Sequence, residues 1–401
     1  MTLTAPPRPG PQHLAARQPR ARRLARWAWH HKVRSVAGAV VILLAPVWWS
    51  LGSALTDPGN GTSVSARLAE WFRGHGGGWL VTEAENLWYS HHQPPVGGRP
   101  PKGAIPAGTT AAAPHGTLAP HLLPPAPITP IATPPVSGEG QWHAAGRTVH
   151  GIPSVYETYL RPDAVHTSVV VGVAWMDTKL LSARLYSGST IPGSGPWQYT
   201  APVSGSAANS LVAAFNSGFL MKNSNGGYYS EGRTVFPLRN GAASLVVYRD
   251  GTATVGQWGR DATMSSSVAA VRQNLDLLVD GGKAVPGLLA DDTSKWGFTL
   301  GNKVYVWRSG VGVTTDGALV YVGGPDMNIT DLADVLVRAG AVRAMELDIN
   351  TDWVNLATFA PASGSTATAA NGTDLLPNMA GSPSRYFANW WTRDFVTMSA
   401  R

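Results

Sequence analysis

The densest group of reactive side chains is Glu346-Leu347-Asp348-Ile349-Asn350-Thr351-Asp352. On a strand, successive side chains alternate faces, so Glu346, Asp348 and Asn350 share one side while Leu347 and Ile349 turn inward. Two carboxylates two residues apart raise each other's pKa by like-charge repulsion. That arrangement suits acid/base work at a glycosidic bond, with Asn350 and Asp352 as neighbouring substrate contacts. Two blander readings fit the same residues. One is a solvated strand end closed by an Asp/Asn turn. The other is a calcium loop through Asp348, Asn350 and Asp352, although Trp353 stands where such a loop needs glycine and Phe359 where it needs Glu.

Other chemistries have little to work with. The chain has no Cys, which removes thiol nucleophiles, disulfides and cysteine-ligated metals. Of its 11 His, ten precede residue 151 and the last is His166, so a Ser-His-Asp hydrolase or a His-ligated metal enzyme is not expected. There is no nucleophile elbow, phosphate loop, His-Glu-x-x-His zinc motif or dinucleotide fingerprint. No cofactor and no metal is expected, and any chemistry falls to carboxylates. Two weaker candidates accompany them. Asn216 ends the run Ala213-Ala214-Phe215-Asn216-Ser217-Gly218-Phe219, where a strand enters a polar turn. Arg308 begins Arg308-Ser309-Gly310-Val311-Gly312, a cation in a β-hairpin suited to bidentate phosphate recognition.

Positioning these residues requires strands. Runs at 167–176, 183–188, 210–215, 244–258, 275–282, 302–307 and 317–324 read as β, with Asp250-Gly251 and Asp316-Gly317 as tight turns. One helix is expected over 328–340: Ile329, Leu332, Val335, Leu336 and Ala339 form its apolar stripe. Asn328 or Thr330 caps it, Arg338 suits its C-terminal dipole and Gly340 ends it. The strand 341–350 follows directly and delivers the acidic cluster. The expected fold is α+β: one mixed, sheet-rich domain over 141–401 with few helices.

In their order, FNSGF, LLVDGG, RSGVGVTTDGALVYVGG and NITDLADVLVRAGAVRAMELD resemble the phosphodiester glycosidase family across about residues 205–395. The family pattern runs N-G-G-F-F, R-T-A-I-G with a D-G turn, a helix ending in L-G-A, and N-L-D-G-G-G-S. The resemblance implies that Asn216, Arg308 and Asp348 stand at the family's Asn, hairpin Arg and final Asp, with Arg385 near its C-terminal Arg. Ser217 and Leu220 replace a Gly and a Phe, Glu346 replaces an Asn, and Ile349-Asn350-Thr351-Asp352 replaces Gly-Gly-Gly-Ser. It further implies a hydrolase of a sugar-1-phosphodiester or related bond, with Asp348 as nucleophile or base and Glu346 assisting. Arg308 and Arg385 would neutralise the phosphate, and Asn216 would orient a hydroxyl or water. The alternative is a non-catalytic binder of carbohydrate or cell-envelope glycan on the same scaffold, with Trp353, Trp390 and Trp391 stacking on sugar faces.

The first 140 residues read differently. Residues 1–34 carry eight of the 31 Lys and Arg and no acid, leaving 23 bases against 24 acids elsewhere. The net charge of +7 therefore belongs to a tail, and no nucleic-acid partner is expected. Residues 35–56 contain no charge and match the length of a membrane span, with Trp48 and Trp49 in interfacial position. The basic tail then predicts a cytoplasmic N-terminus and an extracellular C-terminal domain; a signal peptide cleaved near Ala54 is the competing reading. Residues 57–92 are expected as a helical hairpin broken at Gly76-Gly77-Gly78, and 93–140, with 13 prolines, as an extended spacer.

Overall fold

The computed structural model describes residues 20–106, 120–289, 296, 305–381 and 383–401. Most of the basic tail, the middle of the Pro-rich stretch and the expected strand start at 302–304 lie outside the described residues. The chain divides into two units, Met1–Thr56 and Asp57–Arg401.

The first unit is one helix, Arg20–Thr56, which runs through Pro46. Its part Arg34–Thr56 spans 23 residues with a mean hydropathy of 1.8. At 1.5 Å per residue that is ~34 Å, long and apolar enough to cross a bilayer.

The second unit is built on three sheets. The largest has eight strands in the spatial order His143–Val149, Ile152–Leu160, Val171–Met176, Leu319–Met327, Val306–Thr314, Ala341–Glu346, Leu277–Asp280 and Lys283–Ala284. A five-stranded sheet runs Arg233–Phe236, Tyr228–Ser230, Val268–Gln273, Ala243–Tyr248 and Ala253–Gln257. The third runs Gly372–Asp374, Leu356–Phe359, Leu211–Asn216, Phe395–Ala400 and Leu181–Tyr186. Every pairing of these strands is antiparallel. Few helices accompany them, so the domain is the sheet-rich one expected.

The large sheet is buried on both sides, and the alternation of one strand shows how. Leu319 and Tyr321 join Val311, Val313 and Met345 in the core shared with the other sheets. Val320 and Val322 face the opposite way, onto Leu332, Val335 and Leu336 of the helix Ile329–Arg338. A strand covered on both faces reads as a continuous apolar run, as Ala-Leu-Val-Tyr-Val does. Asn328 caps the helix by accepting from the backbone N of Thr330 and Asp331, and Asp331 answers by accepting from the N of Asn328. Gly251 and Gly317 take the left-handed conformation at the two hairpin turns. The strand expected from Ser210 begins at Leu211, because a short helix, Gly205–Ser210, occupies the preceding residues.

The Pro-rich stretch differs from a free spacer in its described parts. Glu139 and Arg161 form a buried ion pair at 2.8 Å. Arg161 also donates to the carbonyls of Ala132 and Pro134 at 2.8 and 2.7 Å. Ile128 and Ala132 are buried, and Leu122 N donates to Asp177. Proline's fixed φ makes extended chain, and here that chain is laid on the domain surface. The expected hairpin forms as helices Val64–Gly74, capped by Ser63, and Gly78–His91.

Candidate active site

The acidic cluster sits where the helix-to-strand unit runs out. After Glu346 the chain stays pinned to the neighbouring strand: Leu347 N donates to Ser309 O and Ser309 N to Asp348 O, both at 2.8 Å. Glu346 Oε1 accepts from Arg308 Nη1 at 2.7 Å, and Arg308 Nε donates to Met327 O at 2.9 Å. Neither side chain touches solvent. Burial pushes the Glu346 carboxyl up to about 7 against the opposing pull of Arg308.

Asp348 faces a cavity of about 300 Å³. Its Oδ1 accepts from the backbone N of Ile349 at 2.8 Å and of Asn350 at 3.1 Å, which fixes the carboxylate at the head of a tight turn. Burial pushes this carboxyl up to about 7, opposed by the Arg393 cation and by those two backbone donors. Asn350 also lines the cavity, while its Oδ1 accepts from Asp352 N at 2.8 Å. Asp352 Oδ1 accepts from both the N and the hydroxyl of Thr62. These oxygens are committed to turn and docking bonds. Among the described residues no group of three or more His, Asp or Glu side chains could hold a metal ion.

The other two candidates stand behind the cavity. Asn216 Nδ2 donates to Ser309 Oγ at 3.0 Å, and its Oδ1 accepts from Tyr321 OH at 2.9 Å and Asn355 N at 3.1 Å. It thereby ties the third sheet to the large sheet beside Asp348. Arg385 is fully buried, donates through Nη1 to Asp352 O at 3.3 Å and lies 4.4 Å over the Trp391 ring. Its Nε and Nη2 have no hydrogen-bond partner among the described residues. Trp391 packs on Trp353 at 5.4 Å, and Arg393 lies 4.1 Å over Trp353. This stack of two rings between two cations delivers Arg393 to the cavity wall. Trp353 and Trp391 are buried, and Trp390 alone of the three Trp residues is exposed.

Several wall residues carried no signal in the sequence. Lys222, Arg393, Arg73, Glu70, Glu85 and Tyr89 all line the cavity. The first two belong to no motif, and the rest lie far upstream in the helical hairpin. Arg272 and Asn274 were also missed. Arg272 pairs with Asp394 at 2.7 Å and donates to Phe219 O, while Asn274 Nδ2 donates to Glu346 O at 2.8 Å. A Cβ at Gly218 would lie 3.1 Å from the Arg272 guanidinium. The glycine of FNSGF therefore makes room for the cation that holds the cavity wall. A larger hollow of about 460 Å³ lies between Arg184, Tyr199, Glu231 and Arg249. Glu231, its one carboxylate, is spent on the backbone N of Gln198 and Tyr199, so it offers no free acid.

What the smaller cavity can do follows from its contents. A carboxyl with a pKa near neutrality can take and release a proton at physiological pH. Lys222 and Arg393 can hold an anion beside it.

No curated protein matches this chain. Among solved structures, the catalytic domain of zebrafish N-acetylglucosamine-1-phosphodiester alpha-N-acetylglucosaminidase, auto-inhibited by its pro-peptide, is similar at 15% identity and a TM-score of 0.38, covering 65% of this chain and 88% of that one. A hypothetical protein from Synechocystis is similar at 13% identity and a TM-score of 0.36, covering 64% of each chain. A family model of phosphodiester glycosidases matches residues 209–348. The stretch that runs from the Asn216 strand to the cavity's own carboxylate, Asp348, is thus the part of this chain that matches the phosphodiester glycosidase family.

Proposed function

We propose that the domain hydrolyses a sugar-1-phosphodiester, with Asp348 as general base. The observation that carries this reading is the Asp348 carboxylate, poised near neutrality and facing a cavity whose wall includes the cations Arg73, Lys222 and Arg393, at the end of the family-matched stretch. Water attacks the anomeric carbon and gives its proton to Asp348. The bond from that carbon to the phosphate oxygen breaks, and a free sugar and a phosphomonoester leave. Phosphate is a good leaving group, so little general-acid help is required. Arg393 and Lys222 neutralise the phosphate at the wall, while Arg308 and Glu346 hold the floor strand from behind. Asn216 and Arg385 fix the two segments between which Asp348 sits. Asp348→Asn abolishes release of free sugar from a sugar phosphodiester with the melting temperature retained; an unchanged rate rejects the assignment.

The 23-residue apolar stretch and the basic residues before it support a single-pass anchor with the catalytic domain outside the cell. Protease added to intact cells then degrades the domain from 57 onward. Protection of that domain refutes this orientation.

A further inference from the structure

We infer that the helical hairpin 64–91 is a wall of the substrate site, with Thr82 and Tyr89 as specificity-determining contacts to the sugar; this rests on the hydrolase reading above. Gly78, Thr82, Glu85 and Tyr89 all line the cavity. Their spacing of four, three and four residues is one stripe of a helix. The opposite face of the same helix carries exposed Leu80 and Leu87, with Trp79 and Trp88 beside them. The stripe is therefore selected by the cavity and not by general burial.

Specific contacts hold the hairpin over the acidic turn. Thr62 N donates to Asp352 Oδ1 at 3.0 Å, and Thr392 Oγ1 donates to Gly59 O at 2.6 Å. Lys222 Nζ reaches Arg73 O at 3.4 Å. Within the hairpin, Arg73 bridges its two helices through Glu70 at 3.0 Å and Glu85 at 2.5 Å.

The wall does not plug the site. The side-chain bonds of Asp348 go to the backbone of its own turn, and open space remains between it and the helices. The polar groups around that space sort by chemistry. Glu70 and Glu85 pair closely with Arg73, and Arg393 Nη2 approaches the same Glu70 oxygen only at 3.8 Å, so Lys222 and the rest of the Arg393 guanidinium serve one phosphodiester charge. The Tyr89 hydroxyl, the Thr82 hydroxyl, which donates to Gly78 O at 3.0 Å and keeps its lone pairs to accept, and the amides of Asn223 and Asn350 suit a neutral polyol. The ligand class is a compact sugar joined through a single phosphodiester.

The test uses the full chain in detergent, comparing Tyr89→Phe and Thr82→Val with Trp88→Ser on the outward face. Expected is a KM raised about tenfold for each lining variant, with kcat within about twofold and no change for Trp88→Ser. Unchanged KM makes the hairpin merely structural, and faster turnover makes it a cover; either result overturns the inference. Titration with a methyl sugar-1-phosphodiester, read by Trp fluorescence alongside release of free sugar, separates this claim from the hydrolase reading. If the wild type binds without turnover, hydrolysis falls, and a roughly tenfold weaker binding in the lining variants still supports the wall. Absence of binding by the wild type overturns the wall as well.

Discussion

Arg308 Nη1 meets Glu346 Oε1 at 2.7 Å with both side chains wholly out of solvent. The sheet register pairs Glu346 with Gly310, so Arg308, two residues along the same strand, reaches it diagonally on one face. The second carboxylate oxygen, Oε2, has no hydrogen-bond partner among the described residues. A buried pair of this kind depends on both members, because either charge left alone carries its full desolvation cost.

Glu346→Ala and Arg308→Ala should therefore each destabilise the domain by about 3–5 kcal/mol. The double replacement by apolar residues of similar volume, Glu346→Leu with Arg308→Met, should recover most of that loss. Chemical denaturation of the three variants measures this. Equal additive losses would remove the pair from the account of the floor strand.

The pH profile of sugar release should show an acid limb centred near 7, because the base Asp348 works only when ionised. Arg393 favours the ionised form and so pulls this carboxyl down. Arg393→Leu removes that pull and should move the limb to higher pH, besides weakening phosphate binding. An acid limb that stays in place would separate Arg393 from Asp348.

How far sequence reasoning reached is visible in these same residues. The helix capped by Asn328, the strand after it and the carboxylate at its end were all legible, because capping, amphipathic period and alternation are local properties. Asp348 and Asn350 meet the cavity; Glu346, Arg308, Asn216 and Arg385 lie behind it, tied to neighbours. A spacing pattern names which faces residues share, but not which of them a neighbouring chain will cover. The Arg73 and Tyr89 walls were illegible for a different reason. They come from a segment more than 250 residues upstream, and only tertiary packing brings it to the acidic turn.

One of the contacts that dock that segment is a close backbone approach at Gly59. A Cβ at Gly59 would meet Thr392 Cγ2 at 2.5 Å and Trp390 O at 2.8 Å. Gly59→Val should lift the turn before the hairpin away from the domain, costing about 1–3 kcal/mol. Limited proteolysis between 57 and 92 should become faster than in the wild type. An unaltered cleavage rate would mean that the hairpin is held elsewhere.

Glu157 gives the domain a stability that declines from acid to neutral pH, unconnected with the site. Its carboxyl lies in the core, accepting only long hydrogen bonds, at 3.4 Å each, from Tyr159 OH and Thr358 Oγ1. Burial raises it from an ordinary 4.5 to about 7. A carboxyl raised on folding favours the folded state while it stays protonated. Its contribution is full below the unfolded value of 4.5 and is lost as pH rises through about 7. The shift corresponds to about 3 kcal/mol over that window. Glu157→Gln keeps the acceptor and removes the titration. Its melting temperature should therefore fall less between pH 4 and pH 8, a span of about four pH units bracketing that window. Some slope should persist, because Asp331, raised by burial to about 7, titrates in the same direction. A variant with the wild-type slope would show that Glu157 is already ionised in the folded core.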